Sequence, residues 1–508
     1  MKNQFPLLAT VLLAPLTLSA ESTLKLAAMF ADHMVMQREQ VAPVWGWADP
    51  GEDVTVSFGG QKKTAKADAD GKWMVKLDPF QASAEPRELK VGSVVIHDVL
   101  VGDVWLCSGQ SNMHFQMNRV ENSREEVAAA DHPAVRFFTV KDQFGQGAKD
   151  DVKGEWKPVS PTTAAGCSAV AYYFARDLHR KVGVPIGLLV SSVGGTRIET
   201  WMRPETLAAT GQSGPLIEKW KNVPPEEFDN IATAYRAYQY QRDQVHPQAV
   251  KAAKAHGKPP PAEPTMPKLR CHDCPSALHN GMIAPLQPFA IRGAIWYQGE
   301  SNSGQPAPYG KLLPAMITDW RRVWGADLPF LFVQLAPHRN THPAFREAQH
   351  RIWQTTPRTA MAVTTDVGDA NDIHPTRKRP VGERLALAAL ALSYGNETEY
   401  SGPVFKSVSI ENDRAVISFT HAGGGLTGMG GELKGFTMSG VDGKFFPARA
   451  AIEGSTVVVT SDKIHKPVAV RYGWAMVPDG NLFNREGLPA APFRTDAPAD
   501  LTRAVESN

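Results

Sequence analysis

A serine in this sequence lies where a short apolar segment ends and a segment compatible with a helix begins. Residues 104–106 form an apolar run typical of a buried strand, and a turn at Gly109 and Gln110 leads from it to Ser111. Backbone N–H groups at the start of a helix lack intrahelical acceptors, so they favour negative charge that develops on a nearby oxygen. The sequence therefore predicts that Ser111 is an activated nucleophile. The alternative is that Ser111 only caps the helix, because serine is a common N-cap residue.

The elements that position Ser111 follow an alternating pattern from about Asp98 to about Tyr394. Apolar runs typical of strands alternate there with segments of helical periodicity. The predicted strands are residues 135–140, 186–190, 291–297, 330–335 and 361–364. The predicted helices are residues 169–180, 312–324, 345–355 and 381–392. This α/β pattern predicts a parallel sheet with helices on both faces and with functional side chains at the carboxyl ends of its strands.

The two ends of the chain show the alternation of apolar and polar residues that is typical of antiparallel strands. Residues 54–58 alternate in this way, and Asp70 and Gly71 form a hairpin signal before residues 73–77. Further strands are predicted at residues 404–410, 415–420, 436–438, 456–459 and 468–472. We predict a β-sandwich-like N-terminal domain at residues 21–100, an α/β domain at 101–395 and a β-sandwich-like C-terminal domain at 396–508.

Residues 206–270 interrupt the α/β alternation. Phe228, Ile231 and Tyr235 have helical spacing, and a proline-rich segment follows at residues 258–267. The pattern predicts a helical insertion that returns through an extended arm. Two interpretations stay open, namely that the insertion forms a wall of a cleft or that it is a solvated addition to the surface.

The first residues of the chain have the pattern of a secretory signal peptide. Lys2 precedes an apolar run from Phe5 to Leu18, and Ser19 and Ala20 follow. We predict a signal peptide at residues 1–20, with an uncleaved anchor as the alternative. No later segment approaches the ~20 consecutive apolar residues of a membrane-spanning helix. The mature protein is therefore expected to be soluble and exported, to the periplasm or the extracellular space.

The charge of the chain disfavours some classes of partner. Its 508 residues include 54 Lys and Arg and 52 Asp and Glu, which gives a net charge of +2, and no stretch concentrates basic residues. Nucleic acid and acidic membranes are therefore not expected partners. No pattern in the sequence indicates an oligomeric state.

The chain has four cysteines. Cys271 and Cys274 form a close pair in a proline-rich loop, for which a local disulfide, two free thiols and half of a zinc site all stay open. Cys107 and Cys167 lie in segments predicted to be buried, where a thiol often only fills space.

Four stretches, in order along the chain, resemble a known family. The first is residues 102–115, which contains Gly-Gln-Ser-Asn-Met at residues 109–113, and the others are residues 187–201, 280–302 and 372–384. With them the chain resembles the sialate O-acetylesterase branch of carbohydrate esterases, in the SGNH (GDSL-like) hydrolase superfamily. The resemblance implies a three-layer SGNH hydrolase domain between the two β domains. It also implies an esterase that removes acetyl groups from acetylated sugars through an acyl-serine intermediate, without a metal or organic cofactor.

The resemblance assigns a nucleophile and a base. Ser111 is the nucleophile, and His374 is the base that takes its proton. Histidine suits this role because its ordinary pKa of ~6.5 allows proton transfer at neutral pH. The alternative for His374 is a structural hydrogen bond.

The acid that orients the histidine is less clearly indicated. Many SGNH enzymes have an aspartate three residues before the histidine, but Asn371 occupies that position here. Asp372, two residues before His374, matches the narrower branch and is our predicted acid. Asp366 and Asp369 are the alternatives, and a Ser-His dyad oriented by a backbone carbonyl is a further one.

The resemblance also implies three donors for the oxyanion. They are the Ser111 amide, a glycine amide from Gly194 or Gly195, and a side-chain amide for which Gln298 is preferred over Asn302. Other residues in the matched stretches are candidates for lining a sugar pocket, with structural packing as the alternative for each. They are Gln110, Asn112, Arg197, Glu199, Trp201, His279, Asn280, Glu300 and Asn302.

The sequence thus predicts an exported carbohydrate O-acetylesterase. Its substrate is either a sialic acid-type sugar or a fragment of acetylated xylan, xyloglucan or pectin, since loops around the site decide specificity. The alternative from another class is a catalytically inactive glycan-binding protein with two β modules.

Overall fold

The computed structural model describes residues 23–325 and 327–496. The predicted signal peptide at residues 1–20 lies outside these ranges. Within them, no helix combines the length and the apolar composition needed to cross a membrane. The chain is a mixed α/β protein with several sheets.

The N-terminal part of the chain is built of strands. They are β1 (Lys25–Leu26), β2 (Val35–Gln37), β3 (Ala42–Trp47), β4 (Asp53–Phe58), β5 (Gln61–Lys66), β6 (Lys72–Leu77), β7 (Ser83–Val91) and β8 (Val94–Gly109). β1, β3 and β6 form one antiparallel sheet, in which β6 alternates between exposed and buried residues as its sequence predicts. β4, β5 and β7 form antiparallel pairs, and β7 pairs with the first half of β8.

β8 belongs to two parts of the molecule. Its first half pairs with β7 in the register Leu89 to Ile96, and its second half, from Asp103, pairs with strands of the central sheet. The domain boundary predicted after residue 100 therefore falls inside one continuous strand. Because one continuous strand runs through both parts, β8 connects the N-terminal strands directly to the turn before Ser111.

The central sheet has the strand order β10-β9-β11-β8-β12-β13-β14. Its further strands are β9 (His132–Thr139), β10 (Trp156–Val159), β11 (Ile186–Ser192), β12 (Gly293–Tyr297), β13 (Phe330–Val333) and β14 (Thr359–Ala362). All neighbours from β9 to β14 are parallel, and β10 is an antiparallel edge strand. Every residue of β11 to β14 is buried, as expected for a sheet covered on both faces. The predicted strands of this region are confirmed, and β10 was missed.

Helices connect and cover these strands. They are α1 (Ser111–His114), α2 (Ser123–Ala128), α3 (Ala169–Val182), α4 (Pro204–Ala209), α5 (Gly214–Trp220), α6 (Pro225–Tyr240), α7 (His246–Ala255), α8 (Pro306–Trp324), α9 (Pro343–Thr355) and α10 (Arg379–Ser393). The helices predicted at 169–180, 312–324, 345–355 and 381–392 are thus confirmed. α3 and α10 approach so closely that a Cβ on Gly382 would lie 2.5 Å from Cβ of Tyr173. Glycine is therefore required at this crossing.

Residues 206–270 have the arrangement that their sequence predicts. They include α5 to α7, and no helix or strand occurs from residue 258 to 270. Trp220, Phe228 and Tyr235 pack with Cys271 and Cys274 in a small apolar cluster of their own. The insertion is therefore anchored where the chain re-enters the α/β region.

The C-terminal part of the chain contains only strands among its described elements. They are β15 (Val404–Glu411), β16 (Arg414–Thr420), β17 (Leu426–Gly428), β18 (Phe436–Ser439), β19 (Phe445–Pro447), β20 (Arg449–Glu453), β21 (Thr456–Thr460), β22 (Ala469–Tyr472), β23 (Leu482–Asn484) and β24 (Phe493–Arg494). They form sheets of order β15-β16-β21-β20, β17-β23 and β19-β18-β22-β24 around a separate apolar core. The predicted strands are confirmed, and the short strands β17, β19, β20, β23 and β24 were missed.

All four cysteines lie among the described residues, and all are free thiols. The disulfide considered for Cys271 and Cys274 is therefore wrong, and the free-thiol alternative is correct. Burial raises the pKa of both thiols to about 12, so both are protonated at neutral pH. In the described part of the chain no group of three or more His, Cys, Asp or Glu side chains is arranged to hold a metal ion.

Candidate active site

Ser111 is the first residue of α1 and follows the end of β8 by two positions. Gly109, the last residue of β8, has φ of +137°, and a Cβ there would lie 2.1 Å from the Tyr297 carbonyl oxygen at the end of β12. The Gln110 N–H donates to that same carbonyl at 2.9 Å. The turn before the serine is thus fixed against the neighbouring strand, and only glycine fits at its start.

The structure brings His374 to this serine. Its Nε2 lies 2.8 Å from Oγ of Ser111, although the two residues are 263 positions apart in the chain. His374 lies in the loop between β14 and α10. A hydroxyl and an imidazole at this distance can exchange a proton directly, which is the first requirement of serine-based ester hydrolysis.

Of the three candidate acids, only Asp372 lies beside His374. Its Oδ1 accepts the His374 backbone N–H at 2.8 Å and lies 3.6 Å from Nδ1 of the imidazole. Its side chain is 60% exposed, so it is set at the rim of the site. Asp366 instead pairs with Arg384 through two bonds of 2.7 Å. Asp369 accepts the backbone N–H groups of residues 371 and 372, which shapes the loop.

The surroundings of His374 favour its neutral form. Burial lowers the pKa of His374, and the nearby Lys378 cation lowers it further, while Asp372 acts in the opposite direction. The imidazole is thus ready to accept a proton at neutral pH.

The turn after β11 lies against Ser111. A Cβ on Gly194 would lie only 3.3 Å from Cβ of Ser111, and Gly195 has φ of +72°. A side chain at Gly194 would crowd Ser111, and any other residue at Gly195 would strain the backbone. These contacts agree with backbone donation from this turn to a group bound at Ser111.

The hydrogen bonds of Gln298 do not support the donor role that we predicted for it. Its side-chain NH₂ group donates to the Thr196 carbonyl at 3.1 Å and to Oδ1 of Asn302 at 2.8 Å. Both N–H bonds are therefore used within the protein, and the side chain is completely buried. Nδ2 of Asn302 donates to Glu199 at 2.9 Å. Gln298, Asn302 and Glu199 thus join the second and third matched stretches to each other.

Several residues predicted to line a sugar pocket are instead part of the scaffold. Trp201 is fully buried, and its Nε1 donates to Oγ1 of Thr196 at 3.1 Å. Asn280 donates to the carbonyls of residues 145 and 146, and His279 contacts Asn280 at 3.2 Å. Because these groups bond to the protein interior, a direct contact with substrate is not supported for them.

Other predicted residues lie close to Ser111. Oε1 of Gln110 accepts the N–H groups of Gly299 and Ser301, at 3.4 and 3.3 Å. Asn112 donates to Oε1 of Glu300 and to the Ile373 carbonyl. Arg197 bonds to Gln305 and retains 25% side-chain exposure, so among the predicted pocket residues it remains a candidate for substrate contact.

One residue near the site was not singled out from the sequence. Lys378 is only 1% exposed, and its Nζ donates a hydrogen bond to Oδ1 of Asn112. It lies in the fourth matched stretch, but within a run of basic residues that is more typical of a solvated loop. Its position in that stretch was the only feature of the sequence that indicated a place near the site.

The chain is similar to proteins of known function. The family described as carbohydrate esterase, sialic acid-specific acetylesterase matches residues 101–231 and 276–391. A sialate O-acetylesterase from Mus musculus is 31% identical over 81% of this chain and 81% of its own length, and one from Homo sapiens is 29% identical over 96% of both chains. A solved carbohydrate acetylesterase from Xanthomonas citri is 37% identical, covers 93% of this chain and 99% of its own, and has a TM-score of 0.77.

Proposed function

This chain belongs to the carbohydrate esterase family of sialic acid-specific acetylesterases and is a carboxylic ester hydrolase, and we propose that it releases acetate from acetylated sugars by a Ser-His-Asp mechanism. The observation that carries the mechanism is the 2.8 Å contact between Nε2 of His374 and Oγ of Ser111. A purely glycan-binding protein would have no need of this contact.

In the first half of the reaction, Ser111 attacks the acetyl carbonyl. As the bond from Oγ to the carbonyl carbon forms, the hydroxyl proton passes to Nε2 of His374. The tetrahedral intermediate then collapses, and the bond to the sugar oxygen breaks. That oxygen takes the proton from His374, which leaves an acetyl-serine and a free sugar hydroxyl. In the second half, water attacks the acetyl carbonyl while one of its protons passes to Nε2 of His374. The bond from Oγ to the carbonyl carbon then breaks and His374 returns the proton to Oγ, which releases acetic acid and restores Ser111 and neutral His374.

Asp372 is the proposed orienting acid. An imidazolium formed at His374 is stabilised by a carboxylate on its Nδ1 side, and Oδ1 of Asp372 is 3.6 Å away on that side. Catalytic hydrogen bonds are often longer in the free enzyme than in the substrate complex. We therefore infer that this contact shortens when substrate binds.

The proposed oxyanion donors are the backbone N–H groups of Ser111 and Gly194. Support comes from the turn that carries Gly194, since it lies so near Ser111 that a Cβ on Gly194 would be 3.3 Å from Cβ of Ser111. Fixed donors at an oxyanion are among the largest contributions to acyl transfer.

Replacement of Gly194 by alanine tests these donors. The added Cβ would meet Cβ of Ser111 at 3.3 Å, so the turn must move by a few tenths of an ångström and its N–H moves with it. We expect Gly194→Ala to lower kcat on an aryl acetate by ~10-fold or more. Gly166→Ala is the matched control, because a Cβ there meets no atom within 4 Å. Equal activity of the two variants would argue against a donor in this turn.

The pH dependence of activity tests His374 as the base. Only the neutral imidazole accepts a proton, so kcat/KM should rise with pH through the pKa of His374. Burial and Lys378 lower that pKa from 6.5, so the midpoint should lie below 6.5. The measurement is kcat/KM on an aryl acetate from about pH 4 to about pH 8. A midpoint above 6.5, or no loss of activity on acidification, would contradict this assignment.

Acetate release from natural-type substrates tests the function itself. The purified protein is incubated with O-acetylated sialic acid and with acetylated xylan, xyloglucan and pectin fragments, and free acetate is measured. We expect release from at least one of these sugars. Binding of all four without any release, together with no hydrolysis of an aryl acetate, would favour the glycan-binding alternative.

Two broader expectations belong to the same proposal. The parallel sheet with its helices is proposed to be the three-layer SGNH core, and the strands on either side of it in the chain are proposed to be the flanking β domains. The apolar run at residues 5–18 supports export to the periplasm or the extracellular space.

A further inference from the structure

Lys378 is a buried cation close to the proposed nucleophile. It is 1% exposed, and its Nζ lies 4.8 Å from the ring centre of Phe115 and 5.3 Å from that of Tyr297. Rings at these distances stabilise an ammonium through their electron-rich faces. Burial of an ammonium is costly, and no carboxylate in the described ranges forms an ion pair with this one. The hydrogen bond to Asn112 and the two rings are therefore the contacts that offset its burial.

The hydrogen bond of Lys378 leads to both halves of the catalytic pair. Nζ donates to Oδ1 of Asn112, the residue that follows Ser111. Nδ2 of the same Asn112 donates to the carbonyl of Ile373 at 3.0 Å, and Ile373 precedes His374. Asn112 therefore connects the segment of the nucleophile to the loop of the base, and Lys378 holds Asn112 in the orientation that makes this connection.

A third hydrogen bond of the Asn112 side chain links it to Glu300. Its Nδ2 also donates to Oε1 of Glu300, at the end of β12, while Oε2 of Glu300 is buried without a partner in the described part of the chain. With Lys378 on its oxygen and Glu300 and Ile373 on its nitrogen, the amide of Asn112 cannot flip without losing all three bonds.

We propose that Lys378 is a positioning residue of this esterase, whose ammonium orients Asn112 so that Asn112 holds the His374 loop in contact with Ser111. This inference rests on the proposed Ser-His mechanism and extends it to a group that touches neither the acetyl carbon nor the sugar.

The charged groups around Lys378 affect its pKa. Glu300 faces it from the end of β12, Asp372 from its own loop and Arg119 from the turn after α1, and His374 is also close. Burial lowers the pKa of Lys378 to about 7, against the opposing effect of the two carboxylates. Burial also raises the pKa of the Glu300 carboxyl. A neutral amine would hold Asn112 less strongly, so activity should fall on the alkaline side of neutrality.

The central test replaces Lys378 by methionine, which keeps the apolar contacts and removes the ammonium. We expect kcat of Lys378→Met on an aryl acetate to fall by ~100-fold, because small displacements of a catalytic pair have effects of this size. KM should stay within ~3-fold, because Lys378 does not touch substrate. Lys251→Met, at an exposed position of α7, is the matched control and should match the parent.

A double-variant cycle separates positioning from general damage to the fold. If Lys378 acts through Asn112, the two substitutions remove the same connection. The double variant of Lys378→Met and Asn112→Ala should then be no less active than the less active of the two single variants. Lys378→Arg keeps the charge and should retain more activity than Lys378→Met, with the alkaline fall moved to higher pH. Thermal unfolding of each variant shows whether it is folded at the assay temperature.

Three results would overturn the proposal. They are parent-like kcat in folded Lys378→Met, fully additive losses in the double variant, and an alkaline fall that is unchanged in Lys378→Arg. If Lys378→Met does not fold, Asn112→Ala and Lys378→Arg still test the proposal. A parent-like kcat in Asn112→Ala would show that Asn112 does not hold the His374 loop in contact with Ser111. Ser111→Ala, assayed in parallel, tests the underlying mechanism by itself, so failure of that mechanism is distinguished from failure of the Lys378 proposal.

Discussion

Ser111→Ala is expected to reduce acetyl-ester hydrolysis to less than about a thousandth of the parent level while the protein stays folded. The hydroxyl oxygen lies 2.8 Å from the imidazole that is proposed to take its proton, and in the proposed mechanism no acyl-enzyme can form without this oxygen. The N-cap position of α1 is occupied by Gln110 and not by Ser111, and the Ser111 hydroxyl contacts His374 instead. The start of the helix is therefore not expected to depend on the lost hydroxyl. The measurement is kcat on an aryl acetate, with thermal unfolding of the same sample.

Ser108→Ala is the matched control for this variant. Ser108 lies on β8, the strand that leads to Ser111, is completely buried, and its hydroxyl has no hydrogen-bond partner among the described residues. Its loss should therefore leave kcat within ~3-fold of the parent. Turnover of Ser111→Ala comparable to that of Ser108→Ala would mean that another group attacks the ester.

Asp372→Asn is expected to have the second largest effect. A triad acid stabilises the imidazolium and sets the tautomer of the histidine, and its loss costs up to ~10⁴ in rate. Asp372 is 60% exposed and 3.6 Å from Nδ1, so water also stabilises the imidazolium here. We therefore expect kcat to fall by between ~10² and ~10⁴, with KM little changed. The variant keeps the side-chain oxygen that accepts the His374 backbone N–H, so the loop should retain its shape.

Three further variants identify the acid by comparison. Asn371→Ala and Asp369→Asn alter loop residues that do not contact the imidazole, and their kcat should stay within ~10-fold of the parent. Asp366→Asn breaks the paired bonds to the nearly buried Arg384 and should lower the free energy of unfolding by ~1–3 kcal/mol. If Asp372→Asn keeps parent-like kcat while one of the other aspartate variants collapses in its folded form, that residue is the acid. If all three aspartate variants remain active, a Ser-His dyad is correct.

The predictions that came from periodicity agree closely with the structure. β9, β11, β12, β13 and β14 and the helices α3, α8, α9 and α10 lie where the apolar patterns predicted them. Such patterns are local, because a strand or helix that buries one or both faces must repeat apolar residues at its own period. The position of Ser111 at the end of a buried strand followed from the same kind of signal. β10 and the short C-terminal strands were missed because a strand of so few residues is too short to show an apolar period.

The predictions that depended on hydrogen-bond partners agree less well. Gln298 has the side chain expected of an oxyanion donor, but its two N–H bonds go to Thr196 and Asn302. Trp201 and Asn280 lie in matched stretches and yet bond to the scaffold. A matched stretch indicates that a residue matters near the site, while the groups it meets on folding decide whether it faces substrate.

The sequence by itself determined the α/β core, the strand that leads to Ser111 and the matched stretches that contain Ser111 and His374, the proposed nucleophile and base. Only the tertiary structure decided that β8 continues from the N-terminal sheet into the core, that Cys271 and Cys274 form no disulfide, and that Lys378 is buried. The physical reason is that apolar periodicity records burial along one element, whereas partners are chosen across elements. Lys378 and Asn112 are 266 positions apart, and nothing in the residues around either one specifies that they meet.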